Sequence, residues 1–138
     1  FLPKARLRDG LALAKTGVVT ASINSSDGLA ICLHELKKNS GIGLDVTNVP
    51  IAPEAREFAE IHGLNPENLA LFGGEEYELV LTVKPEGWRS AMKAVAEAGG
   101  NLIAIGNVVE GTEVTLRKGN VVEPIPLRGW EHFKKPVV

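Results

Sequence analysis

Apolar and polar positions along this chain follow two alternating periods. Residues 3–15 predict a short helix with Leu7, Leu11 and Ala14 on one face, weakened by Gly10. Residues 18–23 are rich in β-branched and apolar side chains, which suits a buried strand. Polarity then changes abruptly through Asn24, Ser25, Ser26 and Asp27. A second helix follows, with Leu29, Leu33 and Leu36 as its stripe and Cys32 beside it. Lys37 and Lys38 suit its last turn and Gly41 its stop. Residues 42–46 read as a strand. Pro53 opens a helix through about Ile61 that Gly63 ends. Asn65, Pro66 and Glu67 supply a cap, a first-turn proline and a first-turn acid for a short helix stopping at Gly73-Gly74. Tyr77, Leu79, Leu81 and Val83 alternate with Glu78, Val80 and Thr82, predicting a strand. Trp88, Met92 and Val95 mark another helix, closed by Gly99-Gly100. A strand over 102–109 and a hairpin of 113–117 with 121–125 complete the chain. The pattern predicts one α/β (α+β) domain over 1–138, with a mixed β-sheet flanked by helices.

Composition narrows the function without naming it. The 138 residues fit one domain that can bury a real core, and 44% apolar with 23% charged residues is ordinary for a soluble globular chain. A net charge of −2 with no long basic run gives no reason to expect nucleic acid as a partner. The lone Cys32, set in a helical apolar pattern, excludes an internal disulfide and is expected to be a buried structural thiol. No apolar stretch approaches the roughly 20 residues of a membrane span, and no signal-peptide pattern opens the chain. A cytoplasmic protein with no membrane partner is expected. Because the chain starts at Phe1 and not at Met, a preceding segment is expected as well.

Two short segments carry candidate chemistry. Asn24 to Leu29 lies where a buried strand hands over to a helix, a place where α/β proteins gather ligands. A helix N-terminus there can hold phosphate, and Asp27 can coordinate a hard cation such as magnesium. Gly28 leaves room for close approach, and Asn24 offers a neutral carbonyl oxygen. The same residues also read as an ordinary cap, with Ser25 or Ser26 as the capping hydroxyl, and on spacing alone that is the commoner use. Gly73-Gly74-Glu75-Glu76 places two carboxylates just before a strand, where they can face a cation or a cationic ligand, or form a solvated turn after a helix stop. His34, His62 and His132 lack partners at metal-ligand spacing, and no Walker-type loop or G-x-G-x-x-G is present. Trp130 and Phe133 read as core plugs or as covers for a flat aromatic ligand.

Four segments, taken together, resemble one family. They are Pro3-Lys4-Ala5-Arg6-Leu7 with Gly10, Ser22-Ile23-Asn24-Ser25-Ser26-Asp27-Gly28-Leu29, Gly73-Gly74-Glu75-Glu76-Tyr77-Glu78-Leu79, and Gly106 with Gly129-Trp130-Glu131-His132-Phe133. Their order and spacing are similar to the C-terminal half of thiamine-monophosphate kinases, including the S-I-D-x-S-D-G-L and G-G-E-D-Y-E-L strings. Those enzymes share their architecture with aminoimidazole ribonucleotide synthetases and selenophosphate synthetases.

The resemblance implies an aminoimidazole ribonucleotide synthetase C-terminal-like fold and a two-domain enzyme that dimerises through its N-terminal domains. That N-terminal domain, which carries most of the ATP and magnesium ligands, is absent from this chain. The implied reaction moves the γ-phosphoryl of ATP onto thiamine monophosphate to give thiamine diphosphate. Because the acceptor is already an anionic phosphate, alignment and charge neutralisation by Mg2+ can carry the catalysis, and no protein nucleophile is implied. By position, Asp27 is a magnesium ligand, Ser26 an ATP contact, Glu75 a contact to the thiamine phosphate and Trp130 a packing surface for it. Asn24 departs from the pattern, because the family usually has a second aspartate ligand there. A non-catalytic nucleotide- or thiamine-phosphate-binding relative, and a related synthetase with another acceptor, are the alternative readings of the same residues.

Overall fold

A computed structural model of the chain describes residues 4–129. The elements in order are α1 (Leu7–Thr16), β1 (Val19–Ser25), α2 (Leu29–Ser40), β2 (Gly43–Val46), α3 (Pro53–His62), α4 (Pro66–Phe72), β3 (Glu78–Val83), α5 (Trp88–Glu97), β4 (Gly106–Val109), β5 (Val114–Lys118) and β6 (Val121–Pro124). The predicted α/β class holds. Among the described residues the strands divide between two sheets: an antiparallel ribbon β1-β3, and a mixed sheet in the order β4-β2-β5-β6. In the mixed sheet β2 runs parallel to β5 and antiparallel to β4.

The β1-β3 ribbon is held between two cores. Ala21, Ile23 and Val80 pack toward the larger one, built from Leu29, Leu33 and Leu36 of α2, Leu44 and Val46 of β2, Leu71 of α4, and Val114, Leu116 and Ile125. Val19, Leu81 and Val83 pack toward the smaller one, formed by Leu13 of α1 with Ala91 and Val95 of α5. Fully burying a large aliphatic side chain of either core contributes about 1.5–3 kcal/mol, and the half-buried ribbon residues pack against both cores. β1 pairs with β3 from Ser25↔Glu78 to Val19↔Val83, which brings the end of β1 beside the start of β3. Both candidate segments lie there.

Several expectations shift in detail. Helix α1 has the predicted period with a different phase. Leu13 is its buried residue, whereas Leu7 and Leu11 are 68% and 55% exposed. Its inward side is instead completed by close approach, with Gly10 against Leu79 and Asp9 against Gly100. The stripe of α2 is buried as expected, and Cys32 is buried with it. In α5, Val95 is buried but Met92 is largely exposed. The strand expected over 102–109 shortens to β4. Before it, the Ile105 carbonyl accepts from both Thr47 and Asn48 N–H groups, which ends the regular ladder. The hairpin closes across Gly119 and Asn120, with Lys118 opposite Val121. Asn65 caps α4 as predicted, its side chain accepting from the Glu67 and Asn68 N–H groups. His62 is the last residue of α3, and Gly63 follows it as the cap. Among the described residues, no helix is long and apolar enough to cross a membrane.

Candidate functional site

The turn after β1 is not a serine-capped helix start. Gly28 occupies the cap position of α2 with φ 106°, and no side chain caps the helix. That φ is unfavourable for any residue with a Cβ, and a Cβ at Gly28 would also overlap the Gly73 carbonyl oxygen. The helix therefore begins where two chain segments press together. Among the described residues no side chain caps its first-turn N–H groups. Ser26 and Asp27 sit half-buried just ahead of it.

The serine that was a candidate cap has another partner. Ser25 is only 3% exposed, and its Oγ donates to Glu76 Oε2 at 2.9 Å. Two main-chain bonds run beside this one: Glu75 N–H to the Ser26 carbonyl at 2.8 Å and Tyr77 N–H to the Ser25 carbonyl at 2.7 Å. Glu75 and Tyr77 both adopt left-handed backbone, with φ 69° and 54°. Such conformations cost about 1–3 kcal/mol each in a non-glycine residue and persist only where surrounding bonds enforce them. The result is an alternation within the acidic loop. Glu76 turns inward to Ser25, while Glu75 and Tyr77 stay exposed.

Electrostatics distinguishes the groups. Burial pushes the Glu76 carboxyl above its ordinary range, partly offset by the bond from Ser25. Burial likewise pushes the Cys32 thiol up, and its Sγ lies 3.6 Å from the Asn24 carbonyl oxygen. A thiol held protonated in this way is structural, as expected. His34 Nε2 sits 2.8 Å from the Ile125 carbonyl oxygen, tying α2 to the end of the hairpin.

Of the residues singled out in the sequence, Ser26, Asp27 and Glu75 come together at the joined loops. Asn24 precedes them, next to the end of β1. It is exposed and lines an open groove of about 550 Å³ with Arg6, Leu7, Leu11, Tyr77 and Leu79. Arg6 is anchored there by a fork to Glu78, Nε to Oε2 at 2.7 Å, and that bond raises its pKa further. Trp130 lies outside the described residues, as does Phe133. Its neighbour Gly129 passes so close to Asp27 that a Cβ would overlap the Asp27 carbonyl oxygen. Sequence reasoning placed the chemistry on Glu75 and missed the inward bond of Glu76. Two adjacent acids carry no signal of which one faces the interior.

No group of three His, Cys, Asp or Glu side chains among the described residues could hold a metal ion by itself. A cation held at the joined loops would therefore need oxygens from outside these residues, such as phosphate or water, to complete its shell.

Comparison with known proteins identifies the relatives of the whole chain. The family model described as AIR synthase related protein, C-terminal domain, matches residues 1–119. The thiamine-monophosphate kinase of Nitrosopumilus maritimus is 35% identical over 132 residues, which is 96% of this chain and 41% of that protein. A solved structure of AaThiL complexed with AMPPCP and TMP superposes with a TM-score of 0.73 at 33% identity, over 95% of this chain and 38% of that one. The hydrogenase maturation protein HypE of E. coli has a TM-score of 0.77 at 22% identity, over 93% of this chain and 41% of its own, which shows a shared fold alone. The chain thus spans about two-fifths of the length of these relatives. With the model matching from residue 1 to residue 119, the chain belongs to the AIR synthase related protein, C-terminal domain, family.

Proposed function

We propose that this chain is the C-terminal domain of a two-domain, ATP-dependent thiamine-monophosphate kinase. The observation that supports the reading is the stitching of Ser25–Gly28 to Gly73–Tyr77, which brings the main chain of Glu75 against that of Ser26, next to Asp27 in sequence. Similarity to thiamine-monophosphate kinases over 96% of the chain supports the substrate assignment. In the proposed reaction an oxygen of the thiamine monophosphate phosphate attacks the γ-phosphorus of ATP. The bond to the β,γ-bridging oxygen breaks, and ADP leaves with thiamine diphosphate as the product.

In this reading Ser26 contacts the nucleotide, and the N-terminus of α2 favours its negative charge. Asp27 ligates Mg2+, which when bound neutralises charge on the phosphates. Asn24 is assigned as a weaker, neutral ligand. Glu75 faces the cationic or amino-bearing rings of the thiamine phosphate, and Trp130 packs against them. An anionic acceptor needs no strong base, so the chain's task is alignment and charge complementarity. The remaining ATP and magnesium ligands are assigned to a preceding N-terminal domain, through which the full-length protein forms a cytoplasmic homodimer.

A coupled assay of the full-length protein with ATP, magnesium and thiamine monophosphate tests this directly. Thiamine diphosphate formation is expected. Binding of thiamine monophosphate without transfer would support the non-catalytic alternative instead. Residues 1–138 alone are expected to fold and to form no product, and turnover by them would overturn the two-domain assignment.

A further inference from the structure

The geometry points to Glu76 as a positioning residue that, through its bond from Ser25, holds Glu75 in register with Ser26 and Asp27. The inference rests on the kinase reading above and deepens it. Two independent features make Glu76 more than a solvated loop acid. First, it lies between two residues forced into left-handed backbone, Glu75 at φ 69° and Tyr77 at φ 54°, so its carboxylate turns inward while its neighbours turn out. Second, its Oε2 accepts from Ser25 Oγ at 2.9 Å, and Ser25 is the buried residue immediately before Ser26.

The consequence is mechanical. The Glu75 N–H to Ser26 carbonyl bond and the Tyr77 N–H to Ser25 carbonyl bond already connect the loops through main chain. Such bonds alone leave the acidic loop free to relax toward ordinary φ values once its central side chain is released, because the strained conformers gain energy by doing so. The Ser25–Glu76 bond opposes that relaxation. It fixes the separation between the side that holds donor phosphate, Ser26 and Asp27, and the side that holds the acceptor, Glu75. In-line transfer depends on that separation, whereas the affinity for each substrate alone does not. Removing the bond therefore lowers kcat more than it raises either KM.

The test uses the full-length protein as wild type, Ser25→Ala, Glu76→Ala, the double variant, and Glu76→Gln. Steady-state kinetics in both substrates and a thermal melt are recorded for each. Ser25→Ala and Glu76→Ala are expected to lower kcat by roughly 10- to 100-fold, the scale of a small misplacement of reacting groups. The double variant is expected to match either single one, since both remove the same bond. Glu76→Gln retains an acceptor oxygen and is expected to stay within about twofold of wild type. Unchanged kcat in Ser25→Ala and Glu76→Ala, with only the melting temperature lowered, overturns the positioning role and leaves the kinase reading standing. Additive losses in the double variant overturn it too. A wild type that transfers nothing to thiamine monophosphate overturns the kinase reading itself. If Glu76→Ala does not fold, Ser25→Ala with Glu76→Gln decides the matter by the same criteria.

Discussion

Gly28 lies against the carbonyl oxygen of Gly73 so closely that no Cβ fits between them. The contact joins the cap of α2 to the end of α4 and sets how the acidic loop approaches Ser26. Its φ of 106° adds a second restriction, since residues with a Cβ rarely adopt it. Gly28→Ala is therefore expected to destabilise the protein by at least the backbone term, about 1–3 kcal/mol. A clear drop in melting temperature is the expected reading. An unchanged melt would show that the two loops separate freely.

Asp27 sits half-buried ahead of α2 and caps nothing by side chain. Asp27→Asn in the full-length protein is expected to lower turnover strongly, because charge neutralisation is lost in the transition state. Its melting temperature should move little, as a helix-end charge contributes only about 0.3–1 kcal/mol. Normal turnover with a lowered melt would remove Asp27 from the metal site.

Asn24 offers a sharper comparison because it lies on the groove side of β1, beside Arg6 and Tyr77. If it reaches the bound cation, Asn24→Asp adds a charged ligand and lowers the magnesium concentration for half-maximal rate. Unaltered magnesium dependence would assign position 24 to the groove and not to the metal. A rate titration beside a melt separates the two cases.

Glu76 makes a pH prediction with a definite sign. Burial raises its carboxyl pKa in the folded protein. Between the ordinary glutamate pKa and the raised one, the folded state binds more protons than the unfolded state. Stability contributed by this group is thus fully present below the unfolded pKa and is lost as pH rises through the folded one. Glu76→Gln is expected to flatten that part of the stability–pH curve. Denaturant melts across the acidic range check this, and parallel curves for the two proteins would contradict it.

Local sequence chemistry determined much of this protein before any contact was known. Asn65-Pro66-Glu67 specified a capped helix start because the side-chain acceptor and the N–H groups it satisfies are neighbours in the chain. Leu29, Leu33 and Leu36 specified the buried face of α2 because their spacing matches a helical turn. The two site segments were legible by residue type, as acids and glycines flanking strands. Tertiary structure alone decided the rest. Periodicity identified an apolar stripe on α1 and gave no phase relative to the core, so Leu7 and Leu11 turned out exposed and Leu13 buried. Alternation in β3 could not separate a two-stranded ribbon from a continuous sheet, since a ribbon packed between two cores carries a similar apolar pattern. Ser25 read as a cap until β1 and β3 paired and brought Glu76, 51 positions away, within 2.9 Å of it. A bond between residues that far apart leaves no trace in local pattern, because chain pairing, and not the chemistry of either segment, creates it.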